Sequence, residues 1–442
     1  MYLTTKVLQT EKHHEVDLNI LAHLCYHSAR LYNVGLYSVR QHYFNTNSYL
    51  SYYANYHACK TNDNYTILLS DTSQQILRLV DRDMQSFFKL LALKKTGKYS
   101  ASVRLPKYKK LESLSTYVVQ GRSCRIQKDG KVAIGLTKKF REQYGIEDRR
   151  ILFTIPKNIQ NISEFKEIRI IPQFDGQQFS IEFIYESNKQ FCKVEGDGYM
   201  SIDLGISNLA SCTIFSNGGA QQFIVDGRRL KSINHYYNKK VAMLKSEYAK
   251  NKNISSSNTK RMIRLMNGRH NRINDYFDRV VKILVNKCLD NGVSTLVIGY
   301  NNGQKHGISI GKVNNQNMAM IPFYKLRQKL QYQCELHGIS YCPQEESYTS
   351  KASCLDDDVI PVYGEAVTTP FSGKRIHRGL YRASDGTVLN ADINGSINIL
   401  KKYFKERKSN AVFATDDLRV LLNAPCERLY VFPKSHKYSA CG

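Results

Sequence analysis

The chain has 442 residues, with 64 Lys plus Arg against 38 Asp plus Glu, a formal net charge of +26. Hydrophobic residues make up 42% of it, which excludes a disordered basic tail, while the charge excess points to a polyanionic partner. The apolar runs fall far short of the ~18 residues of a membrane span, and the first residues lack a signal-peptide core, so a cytoplasmic, non-membrane protein of roughly three domains is expected.

Residues 1–10, with Leu3, Val7 and Leu8, read as a first strand. From Val16 the spacing of Leu18, Leu21, Leu24 and Leu31 turns helical and runs to about Lys60. A second helix is predicted from Ser70 to about Lys95, capped by Ser70 or Asp71, with one apolar stripe from Ile76 to Leu91. Tyr43, Tyr49, Tyr52, Tyr53 and Tyr56 could stack on bases, but a helical tyrosine stripe is more often half-buried packing. Beyond Pro106 short strands follow at 116–120, 124–127, 131–134, 151–155, 165–171 and 179–186, with Asp129-Gly130 and Asp175-Gly176 as turns. Such spacing predicts a small barrel or sandwich with the helices inserted after its first strand.

A new unit opens near Gly198. Strands at 200–203, 210–216 and 221–225 precede two helices, 228–250 and 260–291, joined by the polar loop 251–258. Residues 231–290 hold 14 Lys plus Arg and 4 acidic residues, which marks a phosphate-facing hairpin. A strand at 294–298, a helix at 322–337 and a strand at 339–342 then argue for an α/β domain.

Two carboxylates stand out. Asp203 ends a strand in S-I-D-L-G-I-S-N-L-A, and Asp392 opens a helix in N-A-D-I-N-G-S-I-N-I-L. An acid at a strand tip with Gly behind it leaves room for a metal and a phosphate, and a second acid at a helix start can meet it across the sheet. Taken alone, each is more often a helix cap or turn residue.

These two segments and E-E-S-Y-T-S-K, in this order, resemble the three conserved blocks of TnpB, the OrfB protein of bacterial insertion sequences, a family related to type V CRISPR effectors. The close match covers about residues 198–404; the N-terminal half matches only in layout. The resemblance implies an α+β multidomain fold. A wedge-like β-barrel (1–12 and 101–195) would carry an inserted helical recognition lobe (13–100). A RuvC-like, ribonuclease H-fold α/β nuclease domain (196–349 and 389–410) would follow, with an insertion at 350–388 and a C-terminal tail at 411–442. The activity implied is RNA-guided cleavage of DNA beside a short adjacent motif by two Mg2+ ions, with a guide RNA and target double-stranded DNA as partners of a monomer associated with the nucleoid. A nuclease-inactive RNA-guided repressor and a DDE-type transposase are the alternatives.

Two departures from the family pattern matter. The family places its second catalytic Glu on the strand that here reads T-L-V-I-G-Y, where Gly299 stands. The nearest replacement is Glu345 or Glu346 on the next strand, Glu346 being favoured, so that Asp203, Glu346 (or Glu345) and Asp392 are expected to hold the metal. Relatives also place two C-x-x-C pairs before the third block; this chain has only Cys354 there, and no C-x-x-C among its 11 cysteines, so no zinc is expected. A hairpin near 371–381 replaces the ribbon, and Asp356-Asp357-Asp358 reads as a solvated turn. Lys305, Lys312, Lys351, Arg375 and Arg378 are the expected nucleic-acid contacts.

Overall fold

The computed structural model describes residues 2–9, 17–187, 191–217, 219–250, 259–301, 311–356, 358–362, 364–365, 369–377, 379–407 and 415–432. Loop 251–258 therefore lies outside the described residues. The chain divides into two compact units, Met1–Lys189 and Gln190–Gly442. No helix among the described residues is long and apolar enough to cross a membrane.

In the first unit β1 (Tyr2–Gln9) is followed by α1 (Leu18–Thr46), α2 (Tyr52–Cys59), α3 (Asp63–Thr66) and α4 (Ser70–Lys95). The single long helix expected over 16–60 is broken because Asn47 adopts the left-handed conformation and Ser51 then caps α2. Neither Ser70 nor Asp71 caps α4; Asp71 instead accepts two hydrogen bonds from Arg122, at 2.8 and 2.6 Å. The tyrosines are mostly packed: Tyr43 meets Phe87 and Phe88 edge-on, and Arg78 lies over Tyr52, whereas Tyr53 is exposed.

Next come β2 (Tyr117–Gln120), β3 (Cys124–Ile126), β4 (Lys131–Gly135), α5 (Lys138–Tyr144), β5 (Arg150–Thr154), β6 (Glu167–Gln173) and β7 (Gln178–Ser187). The first strand pairs antiparallel with the last, Tyr2 opposite Ser187, so the four helices are inserted after it. Among the described residues the strands form two open sheets, β1-β7-β6-β2 and β3-β4-β5, and not one closed ring. Both contribute to one apolar core with α1 and α4, through Phe183, Phe153, Leu31 and Leu77.

The second unit is built on a six-stranded sheet. Its strands are β8 (Gly198–Leu204), β9 (Asn208–Ser216), β10 (Gly219–Asp226), β11 (Val293–Tyr300) and β12 (Ser340–Glu345), with a short β16 (Glu427–Leu429) at one edge. The order is β12-β11-β8-β9-β10-β16. The first three strands form an antiparallel meander, and β11 and β12 add in parallel on the other side of β8. Between them run α6 (Arg228–Ala249), α7 (Lys260–Asp290), α8 (Lys312–Met320) and α9 (Phe323–His337). After β12 come the small sheet β13 (Lys374–His377), β14 (Leu380–Arg382), β15 (Val388–Asn390), then α10 (Ala391–Glu406) and α11 (Thr415–Asn423).

Strand alternation divides the large sheet into two faces. Met200, Ile202, Cys212, Leu296 and Ile298 pack with Phe277, Leu284 and Leu330 of α7 and α9. Val297 and Phe215 point the other way, into a core with Ile393, Ile397 and Leu400 of α10. Ser201 also points there, joined to Thr213 and Ser396 by hydroxyl contacts of 2.6 and 2.9 Å. By the same parity Asp203 and Gly299 belong to the α10 face.

Phe277 is fully buried at the centre of the α7 contact. Phe277→Ala is expected to lower the stability of this unit by about 3–5 kcal/mol, through lost burial and the cavity left behind. Denaturant titration with unchanged m-value is the check.

Candidate active site

Three chain segments meet at the carboxyl ends of β8, β11 and β12. In the parallel pair β8 and β11, Ile202 lies opposite Ile298. Asp203 and Gly299 are the next residues along each strand, and Glu346 directly follows β12, in which Glu345 lies opposite Tyr300. The first turn of α10 brings Asp392, with Asn390 capping the helix by accepting from the Asp392 and Ile393 amides at 2.9 and 3.2 Å.

Two glycines make this convergence possible. A Cβ on Gly299 would collide with the Glu346 carboxylate and stand 2.7 Å from Ile399 Cδ1. A Cβ on Gly395 would stand 2.8 Å from Asp203 Oδ2. The Glu346 carboxylate thus fills space that a side chain at position 299 would need, and α10 comes down on Asp203 through the bare α-carbon of Gly395. Both distances lie inside normal van der Waals contact, so neither position accepts even alanine without displacement.

The paired glutamates diverge. Glu345 forms an ion pair with Lys402, which is only 2% exposed, and accepts a hydrogen bond from the Ser347 amide at 2.8 Å. Burial opposes ionisation of Glu345, but these partners outweigh it and hold the carboxyl below its usual range. Glu346 lies on the Gly299 side. Burial first, then the neighbouring Glu345 charge, pushes it up to about 7, against the opposing pull of Arg327.

Asp203 is held well above the usual carboxylate range, by burial first and then by Glu346 and Asp392, with Arg375 opposing. Asp392 accepts from Asn208 Nδ2 at 2.7 Å and lies 3.6 Å from an Arg375 guanidinium nitrogen. Asp203, Glu346 and Asp392 are therefore electrostatically coupled through Asp203, and each is at least half-buried. Among the described residues no three acidic, His or Cys side chains close on a single point. Asp203 is the acid on which both of the others act. An all-oxygen set of this kind suits a hard divalent cation completed by waters and phosphate oxygens, and it is a poor set for zinc.

Of the expected nucleic-acid contacts, Lys305 and Arg378 lie outside the described residues, and Lys312 begins α8. Lys351 is exposed, its ammonium 5.6 Å from the Tyr348 ring centre. Arg375 is the one brought to the acids. The strands β13 and β14 pair antiparallel where a hairpin was expected. Asp356 and Asp358, expected as a solvated turn, instead bind the insertion together. Asp358 accepts from the amides of Ser353 and Ser372 at 2.8 and 3.1 Å, and Asp356 accepts from Ser384. Asp357 lies outside the described residues. Cys354 is buried, and burial pushes its thiol up to about 12. Asn208, Arg327, Gly395 and Lys402 were not singled out from the sequence. The regular spacing of Asn394, Asn398 and Lys402 on one helix is the signal that was available there.

The OrfB_IS605 family model, described as a probable transposase, matches residues 182–304, and the Cas12f1-like TNB domain model matches residues 323–399. The TnpB-like protein ORF457 of Acidianus two-tailed virus is 25% identical over 426 residues, covering 89% of this chain and 86% of the viral protein. Among solved structures, the Cas12f1-sgRNA-target DNA complex aligns at 13% identity with a TM-score of 0.51, over 86% of this chain and 82% of that one. The fold is that of a mixed α/β multidomain protein resembling the Cas12 effectors. The chain is thus similar to TnpB-type proteins across both matched segments and over most of the length of the viral relative.

Two predictions follow from the electrostatics. Glu346 titrates at about 7 in the fold against an ordinary 4.5, so in the presence of chelator stability is lost as pH rises through that interval. Glu346→Gln should match the parent below pH 4.5, gain on it up to about 7, and hold that gain above; thermal melts across pH read this directly. Glu345→Ala strands the buried Lys402 ammonium and should cost roughly 2–4 kcal/mol, recovered in the double variant Glu345→Gln, Lys402→Met.

Proposed function

We propose that this chain is an RNA-guided DNA endonuclease whose Asp203, Glu346 and Asp392 hold magnesium in a RuvC-like site. The observation that carries the reading is the seating of Glu346 against Gly299. The family's usual strand position lacks a carboxylate, and a glutamate from the adjacent strand occupies the space beside it. The sheet order supports the same reading: a three-strand meander whose first strand pairs in parallel with the fourth, and the fourth with the fifth, is the ribonuclease H arrangement. The solved relative of similar fold is a complex with sgRNA and target DNA, and the net charge of +26 suits both polymers.

Magnesium held by these three acids would supply Lewis-acid polarisation of the phosphodiester and would lower the pKa of water. The protein's own groups prepare for it. Glu346 and Asp203, both held up by burial, would have to be carboxylates to hold the cation, so its binding would favour their ionised forms. Asn208 fixes one oxygen of Asp392 and leaves the other facing Arg375. Arg375, 3.6 Å from Asp392, is suited to a phosphate oxygen of the scissile strand.

Glu346→Ala and Asp203→Ala should each reduce cleavage of a matching DNA by roughly a thousandfold in protein purified with its RNA, while RNA and DNA binding persists. Full cleavage by Asp203→Ala would sink the assignment. Gly299 alone motivates the nuclease-inactive repressor; that reading requires tight, RNA-dependent DNA binding with no cleavage at any magnesium concentration. A DDE-type transposase would act without RNA, so ribonuclease treatment separates it.

A further inference from the structure

The residues that flank Glu346 are gripped by one face of α10. Asn394, Asn398 and Lys402 recur every fourth residue, so they share a helix face, and they are 0%, 0% and 2% exposed. Each reaches the segment that leaves β12. Asn394 donates to the Ala352 carbonyl and accepts from the Cys354 amide, both at 2.8 Å. Asn398 donates to the carbonyls of Thr349 and Ala352 at 2.9 and 2.7 Å. Lys402 pairs with the Glu345 carboxylate and donates to the carbonyls of Pro361 and Ser347 at 3.0 and 3.3 Å. The grip therefore takes hold on both sides of Glu346, at Glu345 and Ser347 and again at Thr349. Thr349 itself returns its hydroxyl to the Glu346 carbonyl at 2.8 Å, and Tyr348 between them is held at a positive φ of 65°.

Asn398 shows what this arrangement costs. Its side-chain oxygen is buried without a hydrogen-bond partner. Turning the amide over would set that oxygen against two carbonyls, so the orientation is forced by the loop. A buried orphan acceptor is unfavourable, and the site bears it to give both N–H groups to the Glu346 loop. The purely apolar solution on the same helix is present one residue away, at Ile393, Ile397 and Leu400, which pack on the sheet.

We propose that Asn394, Asn398 and Lys402 form a polar ladder that aims the Glu346 carboxylate at the metal site, tying it to the same helix that carries Asp392. The three are positioning residues. The inference rests on the metal-dependent nuclease reading of this site, and adds to it how a glutamate beyond the end of a strand is held still enough to serve as a ligand. Outer groups that orient a metal ligand typically change metal affinity by about 10–100-fold when removed.

The test uses the full chain with its copurifying RNA, in Asn398→Ala and in the double variant Glu345→Gln, Lys402→Met, which keeps the packing without the ion pair. Three quantities are read: amide exchange over residues 346–352, Mn2+ affinity by titration, and the Mg2+ concentration for half-maximal cleavage. The ladder predicts faster exchange over 346–352 with β8 and β9 still protected. It also predicts Mn2+ affinity weakened by at least about tenfold, and cleavage that recovers at high Mg2+. Folded variants with parental exchange and parental metal affinity overturn it. So does faster exchange with unchanged Mn2+ affinity, because the ladder would then hold a loop without aiming a ligand. Asp203→Ala, run beside them, separates the two failures: if it cleaves normally the nuclease reading falls, while exchange and Mn2+ binding still judge the ladder.

Discussion

The site depends on one steric exchange: Gly299 has no side chain, and the carboxylate of Glu346 lies where that side chain would be. A strand position at the edge of a parallel sheet aims its Cβ along a fixed direction, so a carboxylate there is placed by the backbone itself. A carboxylate supplied by the residue after a neighbouring strand has no such guarantee. It needs an empty position to enter and something to hold the loop it stands on. Gly299 meets the first need, and the buried polar face of α10 is the structure's evident answer to the second.

The close descent of α10 on the sheet follows the same logic. Gly395 removes the Cβ that would strike Asp203, and Ser396 beside it replaces apolar packing with a hydroxyl that reaches Ser201 and its carbonyl at 2.9 and 3.0 Å. With Thr213, these hydroxyls satisfy one another inside a core that excludes water, which makes the helix-to-sheet spacing specific as well as short. A helix held at that spacing can carry an acid in its first turn toward an acid at a strand tip. The two parts of N-G-S and the S-I-D strand are complementary surfaces of one contact.

Much of this was legible in the sequence. Asp203 and Asp392 were marked by their setting at a strand tip and a helix start, and Gly299 by the carboxylate it lacks. The helical hairpin and the first five strands of the second unit fell within a few residues of their predicted bounds, because their apolar spacing is regular, whereas the short strands 388–390 and 427–429 were not predicted. What the sequence left open was which glutamate faces the acids. Alternation along a strand assigns opposite sides to Glu345 and Glu346, but the choice is made by Lys402, a buried cation 57 residues away that claims Glu345. The aspartates at 356 and 358 were misread for a related reason: an acidic run looks solvated until the serines that it binds, at 353, 372 and 384, are known to lie beside it. Likewise a series of short strands does not reveal whether a sheet closes, and here the strands of the first unit form two open sheets around a shared core.

The electrostatics of the site run against the character of the chain. A protein with an excess of 26 positive charges could have neutralised its acids with lysines, as it does at Glu345. At Asp203 and Glu346 the balance runs the other way, towards the neutral acid. Burial is the largest influence on each, and neighbouring acids raise both further, with Arg375 and Arg327 opposing from the margin. Acids arranged in this way disfavour their own ionisation, and the strain is relieved by protons or by a cation of higher charge. Lys402 pairs with Glu345, on the far side of the divergence between the paired glutamates, and also donates to the Ser347 carbonyl of the loop that carries Glu346.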